Sequence, residues 1–104
     1  MVILQDIKDF LGITHDGFDT EILSIANSIV SSFTLMGLST YPNIDEETIY
    51  FDHGDDNINR LVRSIMQHKT KTIFDPQSNV NITNSINNHI KELEYQLMLI
   101  VPSI

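Results

Sequence analysis

The sequence of 104 residues predicts an all-α fold, a small helical domain with three longer helices, a short N-terminal helix and one extended loop. Two observations lead to this prediction. Apolar residues recur at spacings of three and four along four segments, which is the period of an amphipathic helix. The first three segments are followed by residues that end helices, and the period is lost over residues 38–54. We expect residues 1–104 to form one domain around a modest core.

The first two helices are predicted from apolar stripes that stop at glycines. Residues 3–11 form a short amphipathic segment, and Gly12 stands where a left-handed C-cap is expected. Residues 21–36 carry the longest regular stripe in the first half of the chain, and Gly37 ends it. The candidate N-cap residues of this second helix are Asp19 and Thr20.

The third and fourth helices follow the irregular segment. Residues 48–51 are too few for more than an extended piece, and a third helix then runs through Ile73. Its candidate caps are Asp55, Asp56 and Asn57. Residues 75–79 form a loop, and the terminal helix is expected to start at Asn81 or Thr83. Its apolar stripe consists of Ile82, Ile86, Ile90, Leu93, Leu97, Ile100 and Ile104.

The end of the terminal helix is apolar on all sides, which is more than one core-facing stripe requires. We interpret Ile82 to Leu93 as core. The end itself is either buried by the other helices of the same domain or offered to another chain, and we predict a contact with another chain. The residues of this predicted contact are Leu97, Met98, Leu99, Ile100 and Val101.

Composition excludes several classes of function. Fourteen acidic residues against six basic ones give a formal charge of −8, which disfavours general binding to nucleic acid phosphates. The chain has no cysteine and therefore no disulfide or thiolate chemistry. Residues 1–30 lack the pattern of a signal peptide, and the longest apolar run is five residues, so we expect a soluble intracellular protein without a membrane span.

Clustered acids between residues 45 and 56 raise the alternative of a calcium or other divalent-metal site. The ordered oxygen spacing and the closing glutamate of a calcium loop are absent, so we predict no metal and no cofactor. Asp55 and Asp56 are better interpreted as acids at the positive end of the third helix.

Basic residues concentrate in the third helix, where they either contact phosphate or complement the helix dipole and pair with acids. The net charge favours the second interpretation. We predict that Arg60 and Arg63 pair with acids such as Asp55 or Glu47 of an adjacent subunit. The other basic residues of this helix are Lys69 and Lys71.

Catalysis has little support. The histidines are scattered over turns and polar helix faces, without a neighbouring nucleophile or base. They are His15, His53, His68 and His89. The four glycines stand singly, so no phosphate-binding loop is present. We predict that the protein is not an enzyme.

The order of these features resembles the small head–tail connector (adaptor or head-completion) proteins of tailed bacteriophages. A short opening helix over 4–11 is followed by an Asp-containing turn and a long helix from Asp19 to Gly37. A basic third helix and a terminal helix that includes residues 86–93 complete the pattern.

The resemblance implies a structural subunit, of which about a dozen copies form a ring under the portal at the capsid vertex. The contact of Leu97, Met98, Leu99, Ile100 and Val101 would then be with the portal or a neighbouring subunit. Such a ring extends the DNA channel and is the platform for a stopper or tail-completion protein, while DNA passes without sequence-specific binding. It would lie at the head–tail junction of the virion after assembly in the host cytoplasm. The alternative is a small acidic regulator or nucleic-acid mimic that binds a host protein, which requires the acids to share one face.

Overall fold

The computed structural model describes residues 1–38, 41, 43–76 and 78–101, and it has the predicted all-α architecture. Within this part of the chain there are four helices: α1 (Ile3–Leu11), α2 (Asp19–Met36), α3 (Asp56–Phe74) and α4 (Val80–Ile100). Extended pairing in the same residues is limited to one antiparallel bridge between Val2 and Ile49. None of the helices in the described residues has the length and apolar character needed to cross a bilayer.

Local signals set the helix boundaries. Gly12 and Gly37 end α1 and α2 with φ angles of 77° and 104°, which confirms both predicted stops. Asp55 caps α3, because its side chain accepts hydrogen bonds from the backbone N–H groups of Asn57 and Ile58.

Two predicted helix starts were wrong. α2 begins at Asp19 itself, and the preceding Phe18 provides no side-chain cap. α4 starts at Val80, one residue earlier than the first predicted start, because the Asn79 side chain accepts hydrogen bonds from the backbone N–H groups of Asn81 and Ile82.

Helix α3 packs against each of the other three helices and lies at the centre of the fold. The core consists of the stripes that the sequence predicts on α1, α2 and α3, together with part of α4. Its fully buried large side chains are Ile3, Ile7, Ile22, Ile29, Phe33, Ile58, Val62, Ile65, Met66 and Leu97. Burial of this apolar surface is the main stabilising contribution to the fold.

The segment between α2 and α3 is tied back to the helices. The Asn27 side chain accepts a hydrogen bond from the Ile44 N–H (2.7 Å) and donates one to the Ile44 carbonyl (3.0 Å). Beside the single bridge, the Ile3 N–H donates to the Thr48 carbonyl at 2.9 Å. The short extended piece predicted over 48–51 therefore fixes the loop against the start of α1.

The apolar stripes of α3 and α4 continue past the core. Ile82 was expected to be a core residue, and Ile73 is the last apolar residue predicted for the third helix; both are about half exposed. They lie beside the turn that joins α3 to α4, beyond the buried parts of both stripes. From Ile86 onward the described residues of the α4 stripe are half-buried or buried, and Ile104 lies outside the described residues.

Candidate interaction surface at the end of α4

The five apolar residues predicted to form a contact do not share one environment. Leu97 is 0% exposed and Val101 is buried, whereas Ile100 is half-buried. Met98 and Leu99 are 55% and 64% exposed. The end of α4 is therefore both part of the core and part of the surface, and only Met98 and Leu99 offer substantial apolar area to another chain.

Helical phase explains this division. Leu97 follows Leu93 by four residues and Ile90 by seven, so all three lie on the face that packs onto the core. Beyond it, Val101 meets the end of α2, since a Cβ atom built on Gly37 would lie 3.3 Å from the Val101 Cγ1. The prediction that Leu97 and Val101 form an exposed contact is corrected by this packing.

A shallow groove lies beside the exposed part of the end. It runs between the first turns of α3 and the last turns of α4, and it brings Arg60 together with Leu99 and Ile100, all three named from the sequence. Its lining residues are Asn57, Arg60, Leu61, Gln96, Leu99 and Ile100. The groove combines apolar side chains with one cation and two amides, a mixture found at protein–protein contacts.

Arg60 remains available for a partner. Its guanidinium donates to the Asp56 carbonyl (3.2 Å) and the Asn57 side chain (3.0 Å), both in the same turn of α3. None of the salt bridges among the described residues includes Arg60. An exposed guanidinium without a carboxylate partner is suited to an acid on another chain.

Arg63 has its partner inside the same chain. Its guanidinium binds both carboxylate oxygens of Asp6, with the shortest distance, 2.8 Å, from Nη2 to Oδ1. Asp6 is buried on α1 and also accepts hydrogen bonds from Tyr50 (2.7 Å) and Gln67 (3.1 Å). The predicted pairing of Arg63 with an adjacent subunit is corrected, since this arginine joins α3 to α1.

This network changes the acidity of its members. Burial by itself would raise the pKa of the Asp6 carboxyl, but the hydrogen bonds from Arg63, Tyr50 and Gln67 together hold that pKa below its usual value. Burial, followed by the bond to Asp6, raises the pKa of the Tyr50 phenol. Asp6 is therefore charged and Tyr50 neutral near pH 7, which preserves the ties between α1, α3 and the loop.

The two acids proposed as partners of the arginines differ in what they do. Asp55 is engaged as the cap of α3, with its Oδ1 atom 2.8 Å from the Asn57 nitrogen. Glu47 is exposed, and its carboxylate has no salt bridge among the described residues. Of the two, Glu47 is the one whose charge is free.

Other acids of the irregular segment organise their own loop. Asp45 accepts hydrogen bonds from the Glu47 N–H and the Thr48 hydroxyl, and Asp52 accepts from the Asn59 side chain and the Gly54 N–H. Across residues 1–38, 41, 43–76 and 78–101, no group of three or more His, Asp or Glu side chains could hold a metal ion. These carboxylates act as local caps of turns.

The histidines occupy separate places. His15 accepts a hydrogen bond from the Gly17 N–H, and His53 packs against Tyr41 and Phe51. His68 and His89 lie side by side, with ring centroids 5.4 Å apart. Burial lowers the pKa of His68, and the neighbouring His89 and Lys71 lower it further. The pair packs α4 onto α3 beside Phe10.

Sequence reasoning missed Tyr95 as a surface residue. It is exposed and precedes Met98 by three residues and Leu99 by four, so the three side chains share one face of α4. We call Tyr95, Met98 and Leu99 the α4 end surface. The signal was present in the sequence, because a residue three or four positions from two apolar neighbours lies beside them on a helix.

A comparison with models of known protein families identifies the family of this chain. A family model described as a phage connector protein matches residues 3–103, which is nearly the whole chain. No curated protein and no solved structure gives a significant match. Since the match includes all four helices and the α4 end surface, the chain belongs to the phage connector protein family.

Proposed function

We propose that this protein is a head–tail connector subunit that forms a ring under the portal of a tailed phage. The ring extends the DNA channel and bridges to the next head-completion or tail protein, and it acts without catalysis. The observation that carries the proposal is the family match over residues 3–103. The subunit is a virion component, assembled in the host cytoplasm, with residues 1–104 as one connector domain.

The α4 end surface is the contact region of this subunit. Met98 and Leu99 expose apolar area beside Arg60, which has no salt bridge to an acid in the part of the chain that the structure describes. An apolar centre with a charged neighbour is the usual composition of a protein–protein contact. Burying these two side chains contributes about 1–2 kcal/mol each before ordering costs, since Met98 is only 55% and Leu99 only 64% exposed in the single chain.

Arg60 pairs with an acid of the neighbouring subunit in this proposal. Of the two acids named from the sequence, the exposed Glu47 is available for such a pair, whereas Asp55 is engaged as the cap of α3. Such a pair fixes the register of the contact more than it adds affinity, because exposed ion pairs contribute little.

The net charge of the subunit is compatible with the passage of DNA through the proposed ring. With a formal charge of −8, the subunit repels phosphate at long range, so DNA moves through the ring without binding to it. The acidic regulator or mimic has less support, because it needs free acids on one face. Several acids are engaged in their own chain: Asp6, Asp16, Asp19, Asp45, Asp52 and Asp55.

Portal binding tests the proposal. The purified full chain is sedimented with portal rings assembled from the portal protein of the same phage genome. The wild-type chain should co-sediment, and Leu99→Asp should abolish or strongly weaken binding. Leu35→Asp is the matched control, because Leu35 is 90% exposed on α2 and belongs neither to the α4 end surface nor to the groove beside it. Removal of residues 97–104 is a poor test, since it deletes the buried Leu97 and Val101.

Two results would refute the proposal. One is a folded wild-type chain that stays in the supernatant at every portal concentration. The other is equal binding by Leu99→Asp and Leu35→Asp, which would remove the α4 end surface from the contact. Circular dichroism of each variant checks that the fold is intact.

A further inference from the structure

Charge on α4 is confined to its middle. Residues 76–90 and 95–104 contain no Asp, Glu, Lys or Arg, and the charged residues of the helix are Lys91, Glu92 and Glu94. Glu94 is neutralised by Lys69 at 3.3 Å. Two copies of a chain with a formal charge of −8 repel each other, so they meet at lowest cost where neither carries charge. Both ends of α4 satisfy that condition.

Each end of α4 also exposes apolar side chains. Val80 at the start is 70% exposed, and Met98 near the finish is 55% exposed. Eighteen residues separate them, which is five full helical turns, so both lie on the same face about 27 Å apart. The two ends are therefore separate apolar surfaces at opposite ends of one helix.

The start of α4 is uncovered because the core stops short of it. Ile73 and Ile82 continue the stripes of α3 and α4 and are about half exposed at the turn between the helices. We call Ile73, Val80 and Ile82 the hairpin-tip surface. Three large apolar side chains exposed within one turn region form a candidate interaction surface.

We propose that the hairpin-tip surface of one copy binds the α4 end surface of the next copy. This inference rests on the proposed ring and names the contact that builds it. Val80 and Ile82 meet Met98 and Leu99, and the side-chain amides of Asn81 and Asn84 face the amide and hydroxyl of Gln96 and Tyr95. Amides and hydroxyls both donate and accept hydrogen bonds, so an uncharged contact of this composition can satisfy its polar groups.

One pair of charges at the edges of these surfaces is complementary. Arg60 lines the groove beside Leu99, and the exposed Asp75 follows α3 next to the hairpin tip. Neither takes part in a salt bridge among the described residues. Fifteen residues of α3 separate them by about 22 Å, so they cannot pair within one copy. The end-to-end contact brings Asp75, rather than Glu47, to Arg60.

The arrangement produces repeating assembly. Each copy uses its hairpin tip for one neighbour and its α4 end for the other, which is a heterologous contact. Such contacts close into a ring when the rotation between copies allows it. A surface that bound only the portal would leave the hairpin tip uncovered.

Cysteine cross-linking tests the contact, because the chain has no native cysteine. Val80→Cys and Met98→Cys are prepared separately, mixed in equal amounts and oxidised. The mixture should form the mixed disulfide about tenfold faster than a mixture of Val80→Cys with the control Leu35→Cys. A chain carrying both Val80→Cys and Met98→Cys should give a ladder of linked oligomers.

Each alternative occupant predicts a different result. Disulfides formed mainly between two copies of Val80→Cys would show that hairpin tips bind each other and would overturn the proposal. A mixed yield no greater than that of the Leu35→Cys control would overturn it as well. Protection of Met98→Cys from a thiol reagent by added portal, without cross-linking between copies, would assign the α4 end surface to the portal instead.

A charge exchange tests the edge pair. Arg60→Glu in the Met98→Cys chain and Asp75→Lys in the Val80→Cys chain should each reduce cross-linking between the two chains. Mixing the two chains with both charge substitutions present should restore it. Arg60→Glu combined with Glu47→Lys should not restore it. Rescue by Glu47→Lys alone would overturn the proposed pairing.

The two proposals fail separately. If cross-linking fails while the chain still sediments with portal rings, the end-to-end contact is wrong and the connector function stands. If cross-linking succeeds while portal binding fails, the contact stands and the connector function is wrong.

Discussion

Replacing two neighbouring leucines of α4 should have unequal effects on stability. Leu97 is 0% exposed in the core, and Leu99 is 64% exposed at the surface. Truncation of a fully buried leucine to alanine costs about 2–5 kcal/mol, because the lost transfer free energy is joined by the cost of a cavity. Leu99 buries only about a third of its surface, so its truncation should cost about 0.5–1 kcal/mol.

These free energies convert to a large difference in melting temperature. For a domain of this size, 1 kcal/mol corresponds to a shift of about 4–8 °C. Leu97→Ala should therefore lower Tm by about 12–24 °C if its cost is near 3 kcal/mol, and Leu99→Ala by less than about 8 °C. The total stability of a small domain is about 5–15 kcal/mol, so the Leu97→Ala protein should still fold at low temperature.

Thermal unfolding followed by circular dichroism at 222 nm measures both shifts, and urea unfolding checks that the slope is unchanged. Equal destabilisation by Leu97→Ala and Leu99→Ala would refute the assignment of one to the core and the other to the surface. A neutral Leu97→Ala would refute the packing of the α4 end onto the domain.

Three further predictions concern the network, a glycine and a histidine. The pKa of Asp6 is lowered in the folded state, so as pH falls the unfolded state binds a proton at a higher pH than the folded state does. The free energy of unfolding should therefore be full above about pH 4 and decrease below it. Urea midpoints measured from pH 2 to 6 should show a smaller decline for Asp6→Asn than for wild type. Gly37→Ala should destabilise by about 1–3 kcal/mol, more than Gly54→Ala, because both glycines have positive φ but only at Gly37 would the new Cβ press on Val101; equal losses of Tm would contradict this. The lowered pKa of His68 favours its neutral form in the folded state, so its stability contribution is present above about pH 6.5 and lost at lower pH; an NMR titration that gives His68 an ordinary or raised pKa would contradict this environment.

The helices were predictable because the information is local. A helix is indicated by the period of its own apolar residues, and its ends by residues directly beside it. Gly12 and Gly37 end α1 and α2, and Asp55 caps α3. The start of α4 was placed late because Asn79 was counted with the loop, although its side chain forms the cap.

The candidate site was only partly predictable, because the partners of its charged residues and the exposure of its apolar residues depend on how the helices pack. Arg63 binds Asp6, which is 57 positions away in the sequence, and only the contact of α1 with α3 brings them together. Ile73 and Ile82 fit their stripes, but a stripe does not indicate where the covering helices end. The position of Leu97 could have been read from its stripe, since Ile90, Leu93 and Leu97 repeat at core spacing and Met98 and Leu99 do not.

Electron microscopy of the assembled junction tests the central claim most directly. Portal rings from the same phage genome are imaged with and without the purified chain. The proposed function predicts an additional ring of density on one face of the portal, with the α4 end of each subunit against its neighbour. Portal particles that look the same with and without the chain, while the folded chain remains free in solution, would contradict it.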